Sequence, residues 1–89
     1  MTAVETPVHL ARDERGIIRV SGTRSKMTQV VRDHLERGWS AAEIHRQYPH
    51  LSVAAVHAAL AYYFDHQAEV AAEMEREDRL VEEIGRAHV

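Results

Sequence analysis

From Leu51 to Ile84 the chain contains neither glycine nor proline. The two residues that most readily end a helix are thus missing from more than a third of an 89-residue protein. Alternating steps of three and four residues from Val53 reach Val56, Leu60, Tyr63, Gln67, Val70, Met74, Glu77, Val81 and Ile84, and eight of these ten positions are apolar. The sequence favours one helix over the whole stretch, capped by Ser52. Such a helix of about 32 residues would run about 48 Å, longer than the rest of so small a domain is wide, so its distal half is expected to project. The alternative is a break near Asp65-His66-Gln67, where the stripe first lapses.

The residues before this stretch divide into short pieces. Val8-His9-Leu10-Ala11-Arg12 alternates apolar and polar, Asp13-Glu14-Arg15-Gly16 supplies turn chemistry, and Ile17-Ile18-Arg19-Val20 is β-branched, which together predict a β-hairpin. A lone hairpin is marginal in water, so it must pack on helices or on a second copy. Ser21 to Lys26 form a polar, basic connector. Met27, Val30, Val31, His34 and Leu35 recur at helical spacing, and Gly38 is placed as a left-handed stop. Ser40-Ala41-Ala42-Glu43 matches a capping box, so a second helix begins near Ala41 and ends at about Tyr48, before Pro49. Trp39 stands where it can staple that helix to the core.

The fold class expected is therefore mainly α: a short N-terminal β-hairpin, three helices in a helix-turn-helix order, and a long C-terminal helix. Residues 8–66 would make the domain and residues 67–89 an acidic amphipathic helix for partner binding. The chain has no cysteine, which rules out a disulfide framework and fits a cytoplasmic location. No run approaches the roughly 20 apolar residues of a membrane span, and Met1 to Glu5 do not resemble a signal peptide.

Net charge is -3, but its distribution says more than its sum. Residues 1–67 carry eight Lys/Arg against seven Asp/Glu, whereas residues 68–89 carry three Arg against seven acids, giving +1 and -4. Two surfaces with different partners follow from that division.

The ordered set Ser21-Gly22-Thr23-Arg24, Leu35-Glu36-Arg37-Gly38-Trp39-Ser40-Ala41-Ala42-Glu43-Ile44, Tyr48-Pro49-His50-Leu51-Ser52, and Ala58-Ala59-Leu60-Ala61-Tyr62-Tyr63 with Asp65-His66 resembles the bacterial domain-of-unknown-function family 433 over about residues 8 to 68. The sequence departs from it at Ser25-Lys26-Met27, where the family usually has an apolar residue and a proline. The resemblance implies a homeodomain-like helix-turn-helix behind a small β-element. It also implies a role beside a nuclease-like toxin of the PIN superfamily, as an antitoxin similar to the VapB type.

For DNA, the useful side chains are Arg24 and Lys26 in the connector, Arg46 at the end of the second helix, and Ser52 and His57 on the third. The third helix offers no Arg, Lys, Asn or Gln between Ser52 and Tyr63 for bidentate base contacts, so base reading by that helix alone would be poor. A dimer would double the basic surface. The bland reading makes Arg24, Lys26 and Arg46 a solvated face.

Seven histidines invite a metal hypothesis, but no pair has the His-x-x-x-His spacing that aligns two imidazoles on one helix face, so no metal or cofactor is expected. His34 is read as lining the core and the others as surface or capping residues. The carboxylates cluster in the tail, and the phosphate loop and nucleophile elbow are both absent, so no enzyme activity is expected.

The tail carries the second surface. Val70, Met74, Leu80, Val81 and Ile84 form a narrow apolar stripe flanked by acids, with Glu77 on the same line. An amphipathic helix of this kind needs something to lie against. Its occupant is either a second copy or a groove on a basic protein, which a PIN-like toxin would supply. The function expected is an antitoxin that neutralises such a toxin through its C-terminal helix and binds operator DNA as a homodimer. The alternative is a homodimeric assembly module without DNA affinity.

Overall fold

The computed structural model describes residues 8–87. They form a two-stranded hairpin followed by four helices: β1 (Leu10–Arg12), β2 (Ile18–Val20), α1 (Met27–Arg37), α2 (Ala41–Gln47), α3 (Val53–Asp65) and α4 (Gln67–Ala87). The chain is mainly helical, as the sequence pattern requires.

Asp13 builds the hairpin turn. Its backbone amide donates to the Ile17 carbonyl and its own carbonyl accepts from Gly16, both at 2.9 Å. Its carboxylate Oδ1 accepts from the amides of Arg15 at 2.8 Å and Ile17 at 3.0 Å. Gly16 completes the reversal at φ 86°, a backbone state that side chains disfavour. The strands pair antiparallel with Leu10 opposite Val20 and Arg12 opposite Ile18. Leu10, Ile18 and Val20 are all buried, against α1 and α3. The marginal hairpin is thus held by the helices of its own chain.

The helix boundaries follow local chemistry. Gly38 ends α1 at φ 71°, with its amide donating to the His34 carbonyl. Ser40 caps α2 by accepting from the Glu43 amide at 3.1 Å, and Ser52 caps α3 by accepting from the Ala55 amide at 3.0 Å. Only half of the expected capping box forms, because the Glu43 carboxylate turns to Arg46 and Gln47. Trp39 packs against the core as a staple should, and Arg37 lies over its ring.

The apolar face of α1 differs from its sequence pattern at one residue. Leu35 does not line the core and is 48% exposed. It sits one position beyond His34, rotated by about 100° onto the open flank of α1. Asp33 takes an interior place instead, at 2% exposure, where Gln29 and Arg37 donate to its carboxylate.

The single long helix is corrected: the chain breaks at His66, between α3 and α4. No breaker residue causes this. Tertiary contacts do, by drawing the second half back onto the domain. Val70 enters the core at 1% exposure, and Met74 packs beside it. Glu77 then reaches α1, accepting from the Thr28 hydroxyl at 2.9 Å and pairing with Arg32 at 3.1 Å and Lys26 at 3.6 Å. A solitary projecting helix would leave these groups in water, so folding back gains burial and ion pairing together. At the bend, the His66 imidazole stacks on the Tyr62 ring with centroids 4.0 Å apart, and its Nδ1 donates to the Tyr62 carbonyl at 3.0 Å. The hydrophobic core therefore continues past residue 66 into α4, centred on Val30, Val31, Ile44, Leu51, Val56 and Val70.

Candidate functional site

Two surfaces remain after the core is formed. The first surrounds the start of α3. Ser52, Val53, Ala54 and His57 are all exposed there, so the opening turns of this helix face solvent. The connector before α1 is fixed beside them. Gly22 turns it at φ 77°, the Thr23 hydroxyl donates to the Val20 carbonyl at 2.9 Å and accepts from the Ser25 amide at 3.1 Å, and the Arg24 carbonyl accepts from Arg19 at 2.8 Å. Ser25 Oγ and His50 Nε2 share a hydrogen bond at 3.1 Å, joining the connector to the α2–α3 turn. The Arg24 side chain is exposed next to that joint.

The expected DNA residues do not all gather here. Arg24, Ser52 and His57 share this region with His50, a residue that the sequence pattern does not single out. Its signal is its position in the Tyr48-Pro49-His50-Leu51 turn, which places it two residues before the helix cap. Arg46 lies at the end of α2 and is exposed, but it pairs with Glu43. Lys26 points away toward α4 and pairs with Glu77. Ser52 also has a structural duty as the cap of α3, which commits one face of its hydroxyl. The region is weakly basic and lacks amide or guanidinium groups on α3, so its chemistry suits phosphate contact more than base reading.

Three histidines hold the helix junctions. The Nδ1 of His34 donates to the Trp39 carbonyl at 2.9 Å, and that of His45 to the Leu51 carbonyl at 2.6 Å. With His66 they tie three successive helix junctions. Among the described residues no group of three His, Cys, Asp or Glu is placed to hold a metal ion, and no helix is long and apolar enough to cross a membrane.

The second surface is the outer end of α4. Of the six residues expected to meet a partner, Val70 lies in the core, Met74 packs against it, and Glu77 is engaged with α1. Leu80, Val81 and Ile84 are 57%, 69% and 50% exposed. They stand among Glu75, Asp78, Glu82 and Glu83, and Leu80 and Val81 border an open groove of about 380 Å³ between α1 and α4 that Lys26, Gln29 and Arg32 also line. A smaller cleft of about 60 Å³ between the hairpin and α4 is lined by Arg12, Tyr62, Glu69 and Arg76 and has room for little more than water.

Arg32 is the electrostatic centre of the groove. Burial pulls its guanidinium downward, but the hydrogen bond to Glu77 and the charges of Asp78, Glu77 and Glu36 outweigh it and hold the pKa above its ordinary value. Arg32 also donates to the Met74 carbonyl at 3.0 Å. Nothing in the sequence near Arg32 marks it, because its partners on α4 lie more than 40 positions away.

A family model described as "Protein of unknown function (DUF433)" matches residues 15–63, from the hairpin turn through most of α3. No curated protein and no solved structure matches the chain.

Proposed function

We propose, for a chain that belongs to the DUF433 family, the role of a type II antitoxin that neutralises a PIN-like ribonuclease toxin through the outer end of α4 and binds operator DNA as a homodimer. The toxin partner and the homeodomain-like reading of α1 to α3 come from the family resemblance. The observation that carries the rest is the exposure of Leu80, Val81 and Ile84 among carboxylates. Three neighbouring aliphatic side chains in water on an acidic helix end offer apolar anchors with a charged rim, the form in which a helix enters a groove on a basic protein. The matched family residues stop before α4, which suits a common domain carrying a partner-specific helix.

The operator role is supported by the exposed first turns of α3 and the anchored Arg24 beside them. Affinity there would come from phosphates and fall steeply with salt. One observation favours the alternative of an assembly module without DNA affinity: Glu77 neutralises Lys26 and Arg32, which removes two cations from the surface.

Removing α4 is a poor test, since it would take Val70 out of the core. Surface substitution is cleaner. The variant Leu80→Asp/Val81→Asp/Ile84→Asp should fold normally, match the wild type in any binding to duplex DNA, and fail to rescue growth when co-expressed with a PIN-like toxin encoded beside this chain. Rescue by this variant would move the partner surface elsewhere. A salt titration with duplex DNA decides the operator role, because no binding at low ionic strength would leave only the assembly module.

A further inference from the structure

We propose that two copies of this chain exchange α4, each helix occupying the α1 face of the other through straightening of the single junction residue His66. The exchange rests on the α1–α4 contact and is independent of the toxin reading; the crossing face includes Val53 and His57, so it competes with the operator surface at the start of α3.

The hinge is the first support. Only His66, at φ -135° and ψ 47°, separates two helices, and the surrounding sequence from Leu51 to Ile84 has no glycine or proline to forbid a continuous helix. The bonds that flank the bend are already helical in span: the His66 amide donates to Tyr62 and the Val70 amide to His66, each at 2.9 Å. A helix that begins at Gln67 leaves its first amides without partners in its own turns, and a straight helix would satisfy them from the carbonyls of α3. A one-residue connection between packed elements is the kind of short hinge that invites exchange.

The second support is what straightening does to the surface. Val53, His57, Ala61, Phe64 and Ala68 are all exposed, and steps of four, four, three and four residues place them on one face of a continuous helix. The bend interrupts this face next to Phe64, whose ring is 54% exposed. In the open form two such faces can cross at Phe64, with small residues on either side allowing close approach. The vacated α1 face offers Thr28, Lys26 and Arg32 to a glutamate and a core gap to Val70, and the segment that fits both is α4 itself. A twofold exchange fills both vacancies.

The absence of native cysteine makes the test direct. Gln29 and Asp78 line the same groove from α1 and α4, so Gln29→Cys/Asp78→Cys can be joined by a short bis-maleimide after equilibration at concentrations from low to hundreds of micromolar. Exchange predicts a covalent dimer on a denaturing gel whose share rises with concentration. The cysteine-free variant His66→Ala, which removes the Tyr62 stack and supplies the strongest helix former, should lower the dimerisation midpoint seen by light scattering about tenfold. Four Gly/Ser residues inserted after His66 should return the protein to monomer. Only intrachain product at every concentration, or a scattering dimer whose crosslinks are all intrachain, overturns the proposal, as does an unchanged midpoint for His66→Ala.

Discussion

The guanidinium of Arg32 and the carboxylate of Glu77 meet at 3.1 Å although 45 residues separate them, and their side chains are only 20% and 18% exposed. Together with Val70 in the core, this pair holds α4 along α1. A double-mutant cycle with Arg32→Ala and Glu77→Ala, read by urea denaturation, should give a coupling of about 1 kcal/mol, near the upper end for partly exposed pairs. A coupling near zero would mean that Val70 and Met74 hold the helix unaided.

Val70 and Val81 belong to one apolar stripe in the sequence and to different environments in the fold. Val70→Ala removes buried methyl groups and should cost about 2 kcal/mol, whereas Val81→Ala should stay within about 0.5 kcal/mol of wild type. Comparable losses at both sites in thermal or chemical denaturation would contradict the fold-back of α4.

Ser52 serves as a helix cap and borders the surface assigned to DNA. Ser52→Ala should lose about 1 kcal/mol of stability by losing the bond to the Ala55 amide. Ser52→Asp keeps a capping oxygen and so should retain most of that stability, while its charge repels phosphate. Stability measurements and DNA titrations on the two variants should therefore diverge; equal DNA affinity for Ser52→Asp and wild type would remove this turn from the interface.

Asp13 gives a pH dependence whose sign is fixed by geometry. The Ile17 amide is the largest influence on its carboxylate; desolvation comes second and opposes it, but the Arg15 amide and Arg19 side with Ile17 and the pKa stays below the ordinary 3.8. The folded state thus prefers the carboxylate. Its contribution is complete above 3.8 and is lost as pH falls through the lower folded value. Asp13→Asn should weaken the acid dependence of the hairpin amide signals in NMR, leaving the helices unaffected.

Most of the domain is legible in the sequence because local chemistry builds it. Gly38, Ser40 and Ser52 mark helix ends through bonds made within four residues, and Asp13 to Gly16 mark a turn in the same way. The lapse of the stripe at Asp65-His66-Gln67 marks where the chain breaks, but it does not decide for the break over a continuous helix, because nothing in the residues around His66 opposes a helix. The break arises from the distant match of Val70 to a core gap and of Glu77 to Arg32. The same cause divides the partner stripe, since spacing shows that Val70, Met74, Leu80, Val81 and Ile84 share a face without showing that the first two are claimed by their own chain. His50 joins the candidate nucleic-acid surface for a comparable reason, through a hydrogen bond to Ser25 across 25 residues.

In the proposed role the outer end of α4 binds and silences a PIN-like ribonuclease. The proposed role is tested by inhibition of RNA cleavage by a PIN-like ribonuclease encoded beside this chain, titrated with wild-type chain and with Leu80→Asp/Val81→Asp/Ile84→Asp at matched thermal stability; an adjacent gene that encodes no such protein would already contradict the role. The wild type should inhibit stoichiometrically and the variant not at all. Equal inhibition by both, or no inhibition by the wild type, would contradict the role.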